Sequence, residues 1–234
     1  MESITPEFIA QGVAWFVAFL FALTVHEAAH AWAAYKLGDP TAYEGGQVTL
    51  NPLPHMQREP FGTLLMPVLS YALAGWMMGW ASAPYDPVWA RRYPQRAALM
   101  ALAGPASNLL LVGLAAIAIR VGLAQGAFEP GGPGTSMFTQ LVVATGGGAA
   151  EGLALVLSIV FALNLLLFLF NLIPLPPLDG SAVMGLFLPQ RWNDRYQEFL
   201  REPGFALLGL LVAWKFFGYV FWPVYMLATV VLFL

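Results

Sequence analysis

Long apolar blocks alternate with short polar ones along this chain. A membrane-crossing helix needs about 20 mostly apolar residues, and the first block, Phe8 to Tyr35, is long enough. Two clearer spans follow at 97–121 and 152–172. The last 31 residues are apolar apart from Lys215 and fit one long helix or two short ones broken near Gly218 and Pro223. Residues 61–80 are also apolar, but Pro67, Gly75 and Gly79 interrupt them. That pattern predicts a re-entrant element rather than a full crossing. Polar stretches occupy 36–60, 81–96 and 173–203, and a glycine-rich connector lies between the two middle spans. In the first polar stretch, turn residues surround Gln47-Val48-Thr49-Leu50, which predicts a short strand or hairpin at 47–50. The expected fold is an all-α polytopic membrane protein. It has a bundle of about 4–6 transmembrane helices and a small β-hairpin or re-entrant region between the first two core helices. It is read as a single membrane-embedded unit over 1–234, with a core at 8–180 and a C-terminal helical region at 203–234.

Composition agrees and narrows the class. Of 234 residues, 59% are hydrophobic and 10% charged, and mean hydropathy is +0.69, whereas a soluble domain carries about 25% charge. Disorder is excluded, because it needs low hydrophobicity and high charge. A net charge of −3 without a basic block argues against nucleic-acid partners. The absence of cysteine removes disulfides, thiolate metal sites and thiol nucleophiles. Glu2 and Glu7 precede the first span with no Lys or Arg, so it reads as a retained helix and not as a signal peptide. Eight of the ten cations, Arg201 among them, fall in the three polar stretches. The positive-inside rule makes those stretches cytoplasmic and places the N-terminus and the connector outside. This topology requires 61–80 to enter and return on one side or to lie at the interface.

Candidate chemistry lies inside the first span, at His26-Glu27-Ala28-Ala29-His30. Residues four apart share a helical face. Two imidazoles so placed can bind one zinc ion, with the intervening glutamate as general base. Ionisable groups within a membrane helix are costly and mark function by default. A catalytic zinc needs a third protein ligand and an open position for water. Carboxylates near other apolar spans are Asp179 and Glu151. The charge-derived topology puts Asp179 at the same depth as the histidine pair and Glu151 at the opposite end. Prolines 174, 176 and 177 stop the preceding helix, and Gly180 allows a tight turn beside Asp179.

These residues resemble the site-2 protease family of intramembrane zinc metalloproteases. The resemblance rests on HEAAH at 26–30, NPLPH at 51–55, Phe61-Gly62-Thr63, Gly-Trp-Ala at 79–81, AGPASN at 103–108 and NLIPLPPLDG at 171–180, in family order. It implies that His26, His30 and Asp179 hold one Zn²⁺ and that Glu27 activates the water. Asn171 would hold the scissile carbonyl or its oxyanion. Gly104, Pro105 and Asn108 match a helix element that packs the core, with no assigned chemistry. The implied substrates are transmembrane segments of other membrane proteins, cut near the cytoplasmic face; the compact chain is expected in a prokaryotic inner membrane. Two departures stand out: Met56-Gln57-Arg58 precede Glu59, where relatives often place an acid sooner, and Ser82 stands where relatives often carry lysine. No PDZ or CBS module is expected.

Other residues keep several readings. His55 lines the cleft, caps a turn or binds a second metal. The strand at 47–50 adds to an unwound substrate or is a plain hairpin. Trp76, Trp80, Trp89, Trp214 and Trp222 form interfacial belts, and Lys215 snorkels or pairs within the bundle. Two rival functions are a metal-binding membrane transporter or scaffold and an inactive protease-like membrane protein. The transporter would want ligands along a path across the membrane and repeat symmetry, and neither is visible.

Overall fold

A computed structural model describes residues 5–132, 134–200 and 204–234; Glu2 and Arg201 lie outside them. The chain opens with α1 (Pro6–Leu37), where Thr5 Oγ1 accepts from the Phe8 N–H at 3.2 Å and Gly38 ends the helix in the left-handed region. Short helices α2 (Thr41–Glu44) and α3 (Pro52–Arg58) follow. A π-helical turn, Phe61–Leu65, runs into α4 (Met66–Ala74). After α5 (Pro87–Arg92) come the long α6 (Pro94–Ala124), strands β1 (Phe128–Pro130) and β2 (Val142–Ala144), and α7 (Ala149–Asn171). The rest is α8 (Gly180–Val183), a 3-10 turn at Met184–Leu186, α9 (Gln190–Leu200) and α10 (Phe205–Phe233).

Among the described residues, α1, α6, α7 and α10 are long and apolar enough to cross a membrane, so the protein is multi-pass. The C-terminal apolar block is one helix that passes through Gly218 and Pro223 without a break. Arg96 Nη1 donates to the Leu37 carbonyl at 3.1 Å, so α6 begins where α1 ends. At the other end of α6, Arg120 donates to the carbonyls of Val231 and Leu232, covering the C-terminus of α10.

Phe61 to Ala74 spans 14 residues, about 21 Å as helix and too short for a crossing. It runs back along α1 until Tyr71 Oη donates to the Phe8 carbonyl at 2.8 Å. Residues 76–80 then return beside it. The Met78 N–H donates to Ser70 Oγ at 2.8 Å, and the Trp80 N–H to the Gly62 carbonyl at 3.2 Å. The segment therefore enters and leaves at the same end of α1, as a re-entrant element does.

The expected strand at 47–50 is absent: residues 48–50 form bends, and the His55 ring pairs with the Thr49 carbonyl at 3.1 Å. The hairpin lies instead in the connector between α6 and α7, where Phe128 faces Ala144 and Pro130 faces Val142. Ser158 anchors β2 to α7 by accepting from the Val142 N–H at 3.3 Å. Two apolar clusters hold the bundle together. Trp15, Phe19, Ile159 and Leu163 join α1 to α7, and Ile119, Phe161, Phe221 and Tyr225 join α6, α7 and α10. Trp89 is buried rather than interfacial, whereas Trp80, Trp214 and Trp222 are exposed.

Candidate metal centre

Helical geometry puts His26 and His30 one turn apart on the face of α1 that meets α6. By rise per residue they lie about 16 and 10 Å before Leu37, well inside the helix. The third group arrives from α7. Its helix stops after Asn171, and the proline-rich turn at 174–177 brings Asp179 back toward α1. Gly180 makes that fold-back possible, since a side chain there would collide with the carbonyls of Leu172 and Ile173. Asp179 uses its backbone carbonyl to accept from Ala182 and Val183 at the start of α8, which leaves its carboxylate for the histidines.

The three side chains converge. His26 Nε2 lies 2.9 Å from His30 Nε2, and Asp179 Oδ2 lies 3.1 and 3.3 Å from them. Both histidines are buried, at 5% and 6% exposure. Their other ring nitrogens are committed elsewhere. His30 Nδ1 donates to the Met100 carbonyl at 2.8 Å, and His26 Nδ1 to Asn108 Oδ1 at 2.6 Å. With the proton on Nδ1, each Nε2 presents a lone pair. Two ring nitrogens and one carboxylate oxygen thus face one another at 2.9–3.3 Å, and with both imidazoles neutral and protonated at Nδ1 they offer three lone pairs to a cation. Two imidazoles and a carboxylate suit zinc, and a tetrahedral ion with bonds of about 2.0–2.1 Å keeps its ligands about 3.3 Å apart. The residues present fit the metal.

Gly104 makes room for this cluster from the α6 side. A Cβ at 104 would stand 2.6 Å from His26 Nε2 and closer still to the His30 ring. The matched AGPASN element therefore does more than pack. Gly104 leaves the ligand atoms clear, and Asn108, one turn on, orients His26. Asn164 of α7 was not signalled by any motif, yet it is fully buried against Asn108. Its signal in the sequence was an amide in the middle of an otherwise apolar helix.

A cavity of about 700 Å³ opens onto the cluster, lined by Glu27, His30 and Asp179 at its depth and by residues of α5, α6 and α9 toward its mouth. Glu27 is buried at 4% exposure but reaches this space. The polar α9 is tied across the mouth: Tyr196 Oη donates to the Pro174 carbonyl at 2.6 Å and Gln197 Nε2 to the Ser181 carbonyl at 2.7 Å. Asn171 is the last residue of α7, half-buried and outside the cavity lining. His55 is not a lining residue either. Asn51 caps α3, and the helix turns the imidazole inward onto the Thr49 carbonyl at 3.1 Å. Glu151 stands in the first turn of α7, at the opposite end of that helix from Asp179.

The chain is similar to known proteins over most of its length. The model of peptidase family M50 matches residues 14–211. YwhC of Bacillus subtilis strain 168, named as a candidate zinc metalloprotease, is 33% identical over 208 residues, covering 88% of this chain and 83% of its own. Rip2 of Mycobacterium tuberculosis H37Rv, named likewise, is 29% identical over 211 residues, covering 87% of this chain and 70% of its own. Rip2 of Mycolicibacterium smegmatis is 28% identical over 213 residues, with the same coverage. No solved structure matches the chain. With the HEAAH histidines and the LDG aspartate brought to one point beside a buried glutamate, the chain belongs to peptidase family M50, the site-2 protease family of zinc metalloproteases.

Proposed function

We propose that this protease holds one zinc ion on His26, His30 and Asp179 and hydrolyses peptide bonds in or near transmembrane segments of other membrane proteins. The observation that carries this reading is the convergence of His26, His30 and Asp179 beside a cavity lined by two of them and by Glu27. When bound, the ion supplies Lewis-acid polarisation and lowers the pKa of a bound water toward about 7. Glu27 takes the proton from the attacking water and delivers it to the leaving amine, as a general base and then acid. Its burial keeps that transfer out of bulk solvent. Asn171 is assigned to the scissile carbonyl on the family motif, not on a contact.

The cavity also addresses access. Peptide hydrolysis at this depth needs water, and the lining around Ser82, Asp194 and Gln197 gives water a polar route. A substrate helix must unwind before its carbonyls are available, so the reactive segment is extended when cut. Cations on the polar stretches at the α1 C-terminal end support a cytoplasmic cavity mouth, and we assign the protein to a prokaryotic inner membrane. The test is co-expression of tagged single-span membrane proteins with the wild type and with Glu27→Gln. Cleavage by the wild type and loss of it in the variant are expected; equal cleavage by both would contradict the assignment.

A further inference from the structure

The two zinc-facing histidines are oriented by different means, and the difference points to a device in α7. His30 leans on a main-chain carbonyl, that of Met100, which can only accept. His26 leans on the side-chain amide of Asn108, whose two ends are chemically opposite. Seen from Asn108 Oδ1, the ring nitrogen must carry a proton and Nε2 is free for the metal. From Asn108 Nδ2, the ring nitrogen would have to accept, and the proton would move to Nε2 and block the site.

The orientation of Asn108 is set one helix away. Asn164 Nδ2 donates to the Val160 carbonyl at 2.8 Å, and that carbonyl has no other polarity to offer. Asn164 Oδ1 therefore faces Asn108 and accepts from its Nδ2 at 2.8 Å. Asn108 Oδ1 is left to accept from His26 Nδ1 at 2.6 Å. The direction of every bond follows from the first. Asn108 and Asn164 are both fully buried, so no water competes for these atoms. An unpaired amide would be costly in a membrane interior, so each of these bonds is held.

We propose that Asn164 and Asn108 form a directed relay that fixes the Nδ1–H tautomer of His26 and so sets the metal affinity of the site. Both are positioning residues: Asn108 acts through His26, and Asn164 acts through Asn108. The proposal rests on the zinc reading above. It also makes a specific demand, since Asn164 should matter only while residue 108 has two unlike ends. A carboxylate at 108 accepts from His26 with either oxygen and needs no orienting.

The test is zinc affinity of purified, metal-stripped protein, measured by chelator competition, with cobalt(II) absorption as a second readout of ligand geometry. Removing an outer partner of a metal-binding histidine typically costs about 10- to 100-fold in metal affinity. Asn164→Leu, of similar shape, should fall in that range and alter the cobalt spectrum. Asn108→Asp sets a carboxylate oxygen against Asn164 Oδ1 and should itself weaken zinc, but Asn164→Leu added to it removes that clash and should cause no further loss. If the leucine variant is not recovered folded, Asn164→Ala gives the same comparison. An equal loss from the residue 164 change in both backgrounds would show a packing role and overturn the relay, as would no loss in either. A wild type that binds no zinc would overturn the metal reading itself, a result distinct from wild-type binding with unchanged variants.

Discussion

Two regions beside α1 bury histidine, and they do so differently. At the α1–α6–α7 corner, His26 and His30 are 5% and 6% exposed, and both nitrogens of each ring have a defined neighbour. In the 47–58 loop, His55 is buried more deeply, at 2%, yet it has one carbonyl partner and its Nδ1 has none. Burial alone does not make a metal site. What separates the regions is convergence: at the corner a second imidazole and a carboxylate point at the same space, and outer partners hold the protons on the far side of each ring. In the loop, the imidazole ties α3 to the preceding bend, a structural use of the same side chain.

The comparison breaks most sharply at the base. Glu27→Gln keeps the shape of the corner and removes its proton carrier, so cleavage of a membrane substrate should drop about 10²- to 10⁴-fold while zinc content stays near that of the wild type. A drop in both together would mean that Glu27 holds the site rather than serving it. Next is Gly104→Ala. The added methyl enters the space of the two Nε2 atoms. Overpacking of this kind costs about 1–3 kcal/mol, one to two powers of ten in zinc affinity at about 1.4 kcal/mol per decade. Chelator competition reads it, and unchanged affinity would show that α6 can retreat from α1.

Asn108→Leu removes the acceptor at His26 Nδ1 and should weaken zinc about 10- to 100-fold. The same assay on Asp179→Asn separates a ligand from a helix-end residue. Retained stoichiometric zinc in that variant would remove Asp179 from the site. The smallest effect belongs to the loop. His55→Gln loses a buried hydrogen bond worth about 1 kcal/mol, so thermal stability in detergent should fall slightly while zinc content and cleavage hold. A loss of zinc in His55→Gln would erase the distinction between the two regions.

Much of the corner was legible in the sequence because its signals are periodic or costly. HEAAH has helical spacing, and Asp179 follows a run of prolines that must end a helix. Cation placement put the ends of α1 and α7 on one side, which is where they meet. The re-entrant course of 61–80 followed from its prolines and glycines. What stayed hidden depends on contacts between distant segments. Gly104 and Asn108 belonged to a matched motif, but their work appears only when α6 lies on α1. Asn164 needs α7 beside both. The strand expected at 47–50 had the right residue types and no partner, whereas Phe128–Pro130 found Val142–Ala144 across a glycine-rich loop. Pairing in sheets is decided by the partner more than by local preference.

The central claim is that the corner, and not the loop, holds the metal. The most direct measurement is zinc per chain in purified wild type, His30→Ala and His55→Gln after dialysis against the same low-zinc buffer. The account predicts one zinc in the wild type, one in His55→Gln and close to none in His30→Ala. Equal zinc in all three, or loss only in His55→Gln, would contradict it.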